Sequence, residues 1–251
     1  MEITQTHLPH TPWGDPALSR MPGMLPVEGS WIVVDHAYSA QMAERARLKA
    51  AYPQHVEVAL PGADAALEEL REVALADLPE GFVRDGSAVV RPDGLRVPTE
   101  GPPFAVLNRL LQEDLLILEK RGNEHVLTAG LLCFPASWSL AEKIGRPLRR
   151  IHRPVPDYDD DVAHRVQRLF DRVPPGRAMW RVNVLPYPDA TLYRPSGEGL
   201  PRDRVVAARY LRSERQTVLR LPQTGAVLFA VHTWIVPVDA LTPEQRLGSA
   251  L

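Results

Sequence analysis

The stretch DLLILEKRGNEHVLTAGLLCFPASW occupies residues 114–138, and its reading decides the fold. Two long apolar runs, 114–120 and 125–138, flank the tetrapeptide Arg121-Gly122-Asn123-Glu124. Glycine and asparagine both tolerate positive φ, so this pair between apolar runs is the composition of a tight hairpin turn. The segment therefore predicts two antiparallel strands. Downstream, AMWRVNVLPY (178–187), VVAARYLRSERQTVLRL (205–221) and GAVLFAVHTWIVP (225–237) read as three more. The polar centre of the second suggests a bend or split near Ser213.

Upstream the pattern turns helical. Residues 35–51 have a helical composition with Asp35 as candidate N-cap. Residues 63–78 place Leu67, Leu70, Ala74 and Leu78 on one helical face. A short strand is expected at 55–60, and two Asp-Gly turn signals between 81 and 98 predict hairpin-like strands. One helix, at 157–173, interrupts the later strands and keeps Val162, Val166, Leu169, Phe170 and Val173 on its buried face. Strands joined by short turns, with helices bunched before them, predict an α+β fold on an antiparallel sheet. Residues 1–30 are rich in proline and glycine and read as an extended arm, docked through Trp13, Met21, Met24 and Leu25.

Composition excludes several classes. The net charge of -2 argues against a nucleic-acid binder, which usually carries a basic excess. No apolar run approaches the roughly 18 residues of a membrane span. The N-terminus lacks the basic start and apolar middle of a signal peptide, so a cytoplasmic protein is expected. A single cysteine, Cys133, excludes an internal disulfide and a cysteine-cluster metal site. The glycine-rich dinucleotide and phosphate loops, HExxH and GxSxG are absent.

The segment SLAEKIGRPLRRIHRPVPDY (139–158) resists an ordinary structural reading. A lone histidine, His152, stands among Lys143, Arg146, Arg149, Arg150 and Arg153, with prolines on both sides. Proline fixes φ and restricts the residue before it, so the imidazole should be held rigidly, as an axial metal ligand must be. A basic surface loop is the plainer alternative. Of the other histidines, His7 and His10 read as incidental residues of the arm, and His232 as a core residue or a pocket wall. Cys133 could serve as a thiolate ligand, but its apolar strand favours a buried structural thiol. Glu113 and Asp114 could share acid–base work, although solvated acids at a helix-to-strand corner are commoner. Arg212, Glu214, Arg215 and Gln216 read as an ion-pair network, and the acidic run 157–161 as a helix N-terminus.

QEDLLIL, CFPASWSLAEKIGRPLRRIHRPVPDY, RLFDRV, WRVN and LRSERQTVLRLPQTGAVLFAVHTWIVPV resemble, in order and spacing, the haem-dependent oxidative N-demethylases. The resemblance spans residues 12–242. It implies a PAS-like haem-binding core at 101–242 behind an arm and helices at 1–100. It also implies a haem b whose iron activates dioxygen, a small methylamine substrate, formaldehyde as product and a separate electron-donating reductase. Carried onto this chain, it makes His152 the axial ligand and Lys143, Arg146 and Arg150 the partners of the propionates. Glu214, Gln216 and His232 become candidates for the distal, catalytic side. Family members commonly read RxNW where this chain has Arg181-Val182-Asn183-Val184, so a pocket altered at Val184 is expected. A non-catalytic haem sensor or carrier is the competing reading.

Overall fold

The computed structural model of the chain describes residues 2–15, 18, 23–153, 159–197 and 208–248. Its strands are β1 (Leu25–Pro26), β2 (Glu57–Ala59), β3 (Val83–Asp85), β4 (Ala88–Val90), β5 (Arg96–Pro98), β6 (Asp114–Arg121) and β7 (Glu124–Leu131). After these come β8 (Met179–Tyr187), β9 (Tyr210–Arg220) and β10 (Val227–Pro237). The helices are α1 (Tyr38–Ala51), α2 (Pro53–Val56), α3 (Asp64–Ala76), α4 (Pro103–Leu107), α5 (Leu140–Lys143), α6 (Leu148–His152), α7 (Asp160–Arg172) and α8 (Pro243–Gly248). Seven strands form one sheet in the order β1-β8-β9-β10-β6-β7-β2, with every pairing antiparallel. β3, β4 and β5 make a separate small sheet.

The unbroken apolar run of β6 follows from its position. Side chains alternate across a strand, and here both faces of the sheet are covered. Leu115 and Ile117 join the core with Leu48 of α1, Leu67 and Leu70 of α3 and Leu107 of α4. Leu116 and Leu118 join a second core with Leu140, Leu148 and Phe170, from α5, α6 and α7. The hairpin turn is as the sequence predicts: Arg121 pairs with Glu124, and Gly122 takes φ 62°. Gly130 has a different function. A Cβ there would lie 2.6 Å from Leu140 Cδ1 and 3.0 Å from Leu116 Cδ2, so only a bare backbone lets α5 approach β7 this closely.

Several expectations are corrected. β9 runs unbroken through Ser213, which is paired on both sides, with Val184 and with Trp234. Arg212 and Glu214 pair with each other and Ser213 meets His10, so no bend is needed. Asp35 does not cap α1; its Oδ1 accepts the N–H of Ala37 (2.9 Å), the residue directly before the helix. Asp159 does cap α7, accepting the Val162 N–H at 2.7 Å. The arm docks: β1 pairs with β8, and Leu8 and Trp13 pack near Trp234. Met21, the first residues of the strand read at 205–221 and the prolines at 154 and 156 lie outside the described residues.

Candidate functional site

A cavity of about 230 Å³ lies between the sheet and helices α5 to α7. Its floor is the strand face that carries Leu116, Leu118, Val218 and Phe229. α6 and α7 contribute Leu148, Ile151, Val166, Leu169 and Phe170 to its walls, and Met24 reaches it from the arm. Into this apolar chamber project Lys143, His152, Arg181, Glu214 and Gln216.

His152 is the last residue of α6, not part of an extended proline turn. Leu148, Ile151 and His152 stand at i, i+3 and i+4, the spacing that puts side chains on one helical face. His152 Nδ1 lies 2.9 Å from the Leu148 carbonyl oxygen. A carbonyl only accepts, so Nδ1 carries the proton and Nε2 the lone pair. Burial pushes this imidazole below its ordinary pKa, and the charges of Lys143 and Arg181 act in the same direction. The neutral, Nδ1-protonated ring is the form that ligates a metal through Nε2, with its other nitrogen oriented by a backbone carbonyl. Capping a helix C-terminus would account for Nδ1 but not for the ring's place in the cavity wall.

The strand side of the cavity is polar at one spot. Glu214 Oε1 accepts from Arg212 Nε at 2.9 Å, in an ion pair whose arginine is fully buried. Arg212 also donates to the Leu192 carbonyl (3.1 Å) and, through Nη2, to that of Phe134. Glu214 Oε2 has longer contacts, 3.4 Å to Asn183 Nδ2 and 3.5 Å to Gln216 Nε2. One oxygen is thus fixed, and the other is loosely held at the cavity. Arg181 lies two residues before Asn183 on β8, and burial lowers its pKa. Lys143 Nζ sits 4.8 Å from the centroid of the Trp138 ring.

The donor set suits a haem: apolar walls, a neutral imidazole with its lone pair on Nε2, and two cations for carboxylate side arms. Residues 27–251 match the family model described as haem-dependent oxidative N-demethylase, alpha subunit-like. The chain belongs to this family. Haem dependence and an oxidative N-demethylase type of activity are what the family's description carries, together with a place as an alpha subunit.

Relative to that family's chemistry, the sequence-derived candidates divide by strand parity and helical spacing. His152, Lys143, Glu214 and Gln216 meet in the cavity. Arg146 is exposed before α6, and Arg150, two positions from Leu148, is half-buried and turned from the lining face. His232 is on the other side of the sheet, because Phe229 and Val231 face the cavity and the alternate residues of β10 do not. Its Nδ1 meets Glu113 Oε1 and its Nε2 meets Asp35 Oδ2, each at 3.2 Å. Both acceptors are carboxylates, so both ring nitrogens carry protons and the ring is an imidazolium.

Val184 also faces away: with Arg181 and Asn183 toward the cavity side, it packs with Trp13, Leu211 and Trp234. An altered cavity from valine at that position is therefore not found. Cys133 is buried opposite the cavity-lining Leu132 and Phe134, and burial lifts its thiol to about 12. Glu113 and Asp114 are buried rather than solvated. Asp114 accepts from Arg45 Nη1 and from the Cys133 and Phe134 N–H groups, which ties the start of β6 to the end of β7. His10 is no incidental residue: its Nε2 lies 2.7 Å from Ser213 Oγ, and its ring is edge-on to Trp234. Sequence reasoning missed Arg181 and Trp138. Arg181 carried a signal, a lone cation one strand period from Asn183 in an apolar segment; Trp138 carried none.

Proposed function

We propose that this chain is a haem b-binding oxygenase subunit that oxidatively demethylates a small N-methylamine. The observation that carries the reading is that His152, on α6, and Glu214, on β9, line one apolar cavity. His152 would hold the iron through Nε2, and Lys143 and Arg181 would pair with the propionates. The helix-covered antiparallel sheet supports a PAS-like core over residues 101–242. When bound, haem supplies the activation of dioxygen.

The protein's own contribution is orientation, exclusion of water and proton placement. Leu116, Leu118, Val218 and Phe229 keep the chamber dry, which strengthens every polar interaction inside it. Glu214 Oε2 would accept the N–H of the amine and hold its N-methyl group in one direction; Gln216 would limit the carboxylate's movement. The balance is one N-methylamine, dioxygen, two electrons and two protons giving the demethylated amine, formaldehyde and water. The C–N bond breaks, one oxygen atom leaves in formaldehyde and the other in water. A separate reductase supplies the electrons in this reading. Polar groups at the cavity favour catalysis over a sensor, whose pocket would need neither an acceptor nor room for a second molecule. The test is formaldehyde release from a series of N-methylamines with a surrogate electron donor. Stable dioxygen binding by the ferrous protein, unaffected by any amine, would sink the proposal in favour of the sensor.

A further inference from the structure

Glu214 stands in the middle of a row of side chains that crosses β8, β9 and β10. Asn183 of β8 is opposite it on one side and Thr233 of β10 on the other. Residues directly opposite in an antiparallel pair share a face of the sheet, with their Cβ atoms about 4.5–5.5 Å apart. Thr233 therefore lies on the face that carries Glu214 and Val231, both of which line the cavity. Its own side chain sits behind that lining, in a residue only 1% exposed.

The hydroxyl of Thr233 is unsatisfied. Among the described residues nothing meets its Oγ1 within hydrogen-bond distance, whereas its carbonyl accepts from Gln41 Nε2 at 3.0 Å. Buried polar groups are otherwise nearly all paired, with protein or with ordered water. Beside this hydroxyl is a carboxylate with acceptor positions to spare. A carboxylate offers about four. Glu214 fills one well, with Arg212 Nε at 2.9 Å, and two loosely, with Asn183 Nδ2 at 3.4 Å and Gln216 Nε2 at 3.5 Å. Arg212 and Gln216 hold it along its own strand and Asn183 from β8; Thr233 is the neighbour on the β10 side. A spare donor and a spare acceptor on adjacent residues, too far apart for a direct bond, are the setting for a bridging water.

We infer that Thr233 is a positioning residue for Glu214, its hydroxyl donating through one bound water to the carboxylate. That this link orients an amine rests on the function proposed above; the link itself does not. Without it, Oε2 is restrained only by the two long contacts and can turn about the last side-chain bond. With it, the carboxylate is held from both flanking strands. The N–H of an amine then meets an acceptor fixed in one direction, and misplacement of a bound group by even 1 Å is costly to its reaction.

Thr233→Val keeps the branched shape and removes the hydroxyl, whereas Thr233→Ser keeps the hydroxyl. In urea, with no ligand, Thr233→Val should raise the unfolding constant by about tenfold, the scale of a hydrogen bond to a charged group. An idle hydroxyl predicts the reverse, because valine would remove an unpaired buried polar group. The infrared carboxylate band of Glu214, assigned by its loss in Glu214→Gln, should shift in Thr233→Val and stay in place in Thr233→Ser. Calorimetric affinity of the haem-loaded chain for dimethylamine should fall about fivefold in Thr233→Val and less than about twofold in Thr233→Ser. A more stable Thr233→Val, an unmoved Glu214 band, or undiminished affinity in Thr233→Val where the wild type binds the amine would overturn the inference. A wild type that binds no amine, together with a shifted band and a destabilised Thr233→Val, sinks only the proposed function and leaves the link standing.

Discussion

Arg212 donates from Nε to Glu214 Oε1 across 2.9 Å, two residues along the same strand. The arginine is fully buried and donates to two backbone carbonyls besides, so it holds the carboxylate in place as well as neutralising it. Arg212→Met would leave a buried carboxylate unpaired. Removing one partner of such a pair costs about 3–5 kcal/mol. Denaturant unfolding should show that loss, and Arg212→Met combined with Glu214→Gln should recover part of it. Additive losses in the double variant would mean that the two side chains act independently.

His232 sets the alkaline limit of stability. Burial alone would lower its pKa, but hydrogen bonds to Asp35 and Glu113 outweigh burial and lift it to about 9. The unfolded chain releases this proton near 6.5, so stability from His232 is complete below that pH and is lost as pH rises through about 9. The loss amounts to roughly 3 kcal/mol at about 1.4 kcal/mol per pKa unit. His10 acts oppositely. Burial, with the charges of Arg215 and His232, holds it at about 4, so stability falls as pH drops from about 6.5 toward 4. Unfolding free energies measured from pH 4 to 10 should peak near pH 6.5. A flat profile would contradict both assignments, and one rising toward pH 9 would contradict that of His232.

Lys143 and Arg181 line the cavity, and in the proposed reading they hold the carboxylate side arms of the haem. Charge-assisted bonds contribute about 1.5–3 kcal/mol each, so Lys143→Met and Arg181→Met should each speed haem loss by about tenfold or more. Arg146→Ala should leave the rate unchanged, because that side chain is exposed outside the cavity. Haem transfer to an excess of an apo-globin acceptor gives all three rates. A larger effect at Arg146 than at Arg181 would reverse the assignment.

Gly130→Ala should destabilise the fold by about 1–3 kcal/mol, the usual cost of overpacking a tight core. Leu140, which the new methyl would meet at 2.6 Å, is itself buried and has little room to move. Trimming it in Gly130→Ala/Leu140→Ala should make the two losses less than additive in thermal unfolding.

The sheet was legible in the sequence because apolar alternation and the Gly122-Asn123 turn are local signals. The α3 and α7 helices were legible for the same reason, through their apolar spacing. The region around His152 was misread locally: a single helical turn at 148–152 is too short to show periodicity, and the prolines argued for extended backbone. The cavity's membership depended on strand parity across partners far apart in sequence. Parity shared by Glu214, Gln216 and Val218 could be read along one strand. That His232 and Val184 face the other way needs the register of β8, β9 and β10 together. Buried acids at the start of β6 were read as solvated because their partners, Arg45 and His232, lie on α1 and β10.

The most direct test of the account is the absorption spectrum of the purified chain titrated with haem b, for wild type and His152→Ala. The wild type should take up one haem per chain with a sharp Soret band, as Cys133→Ser also should. His152→Ala should lose most of that band, and added imidazole should restore part of it by filling the vacated position. An undiminished Soret band and full haem content in His152→Ala would contradict the central claim that this imidazole holds the iron.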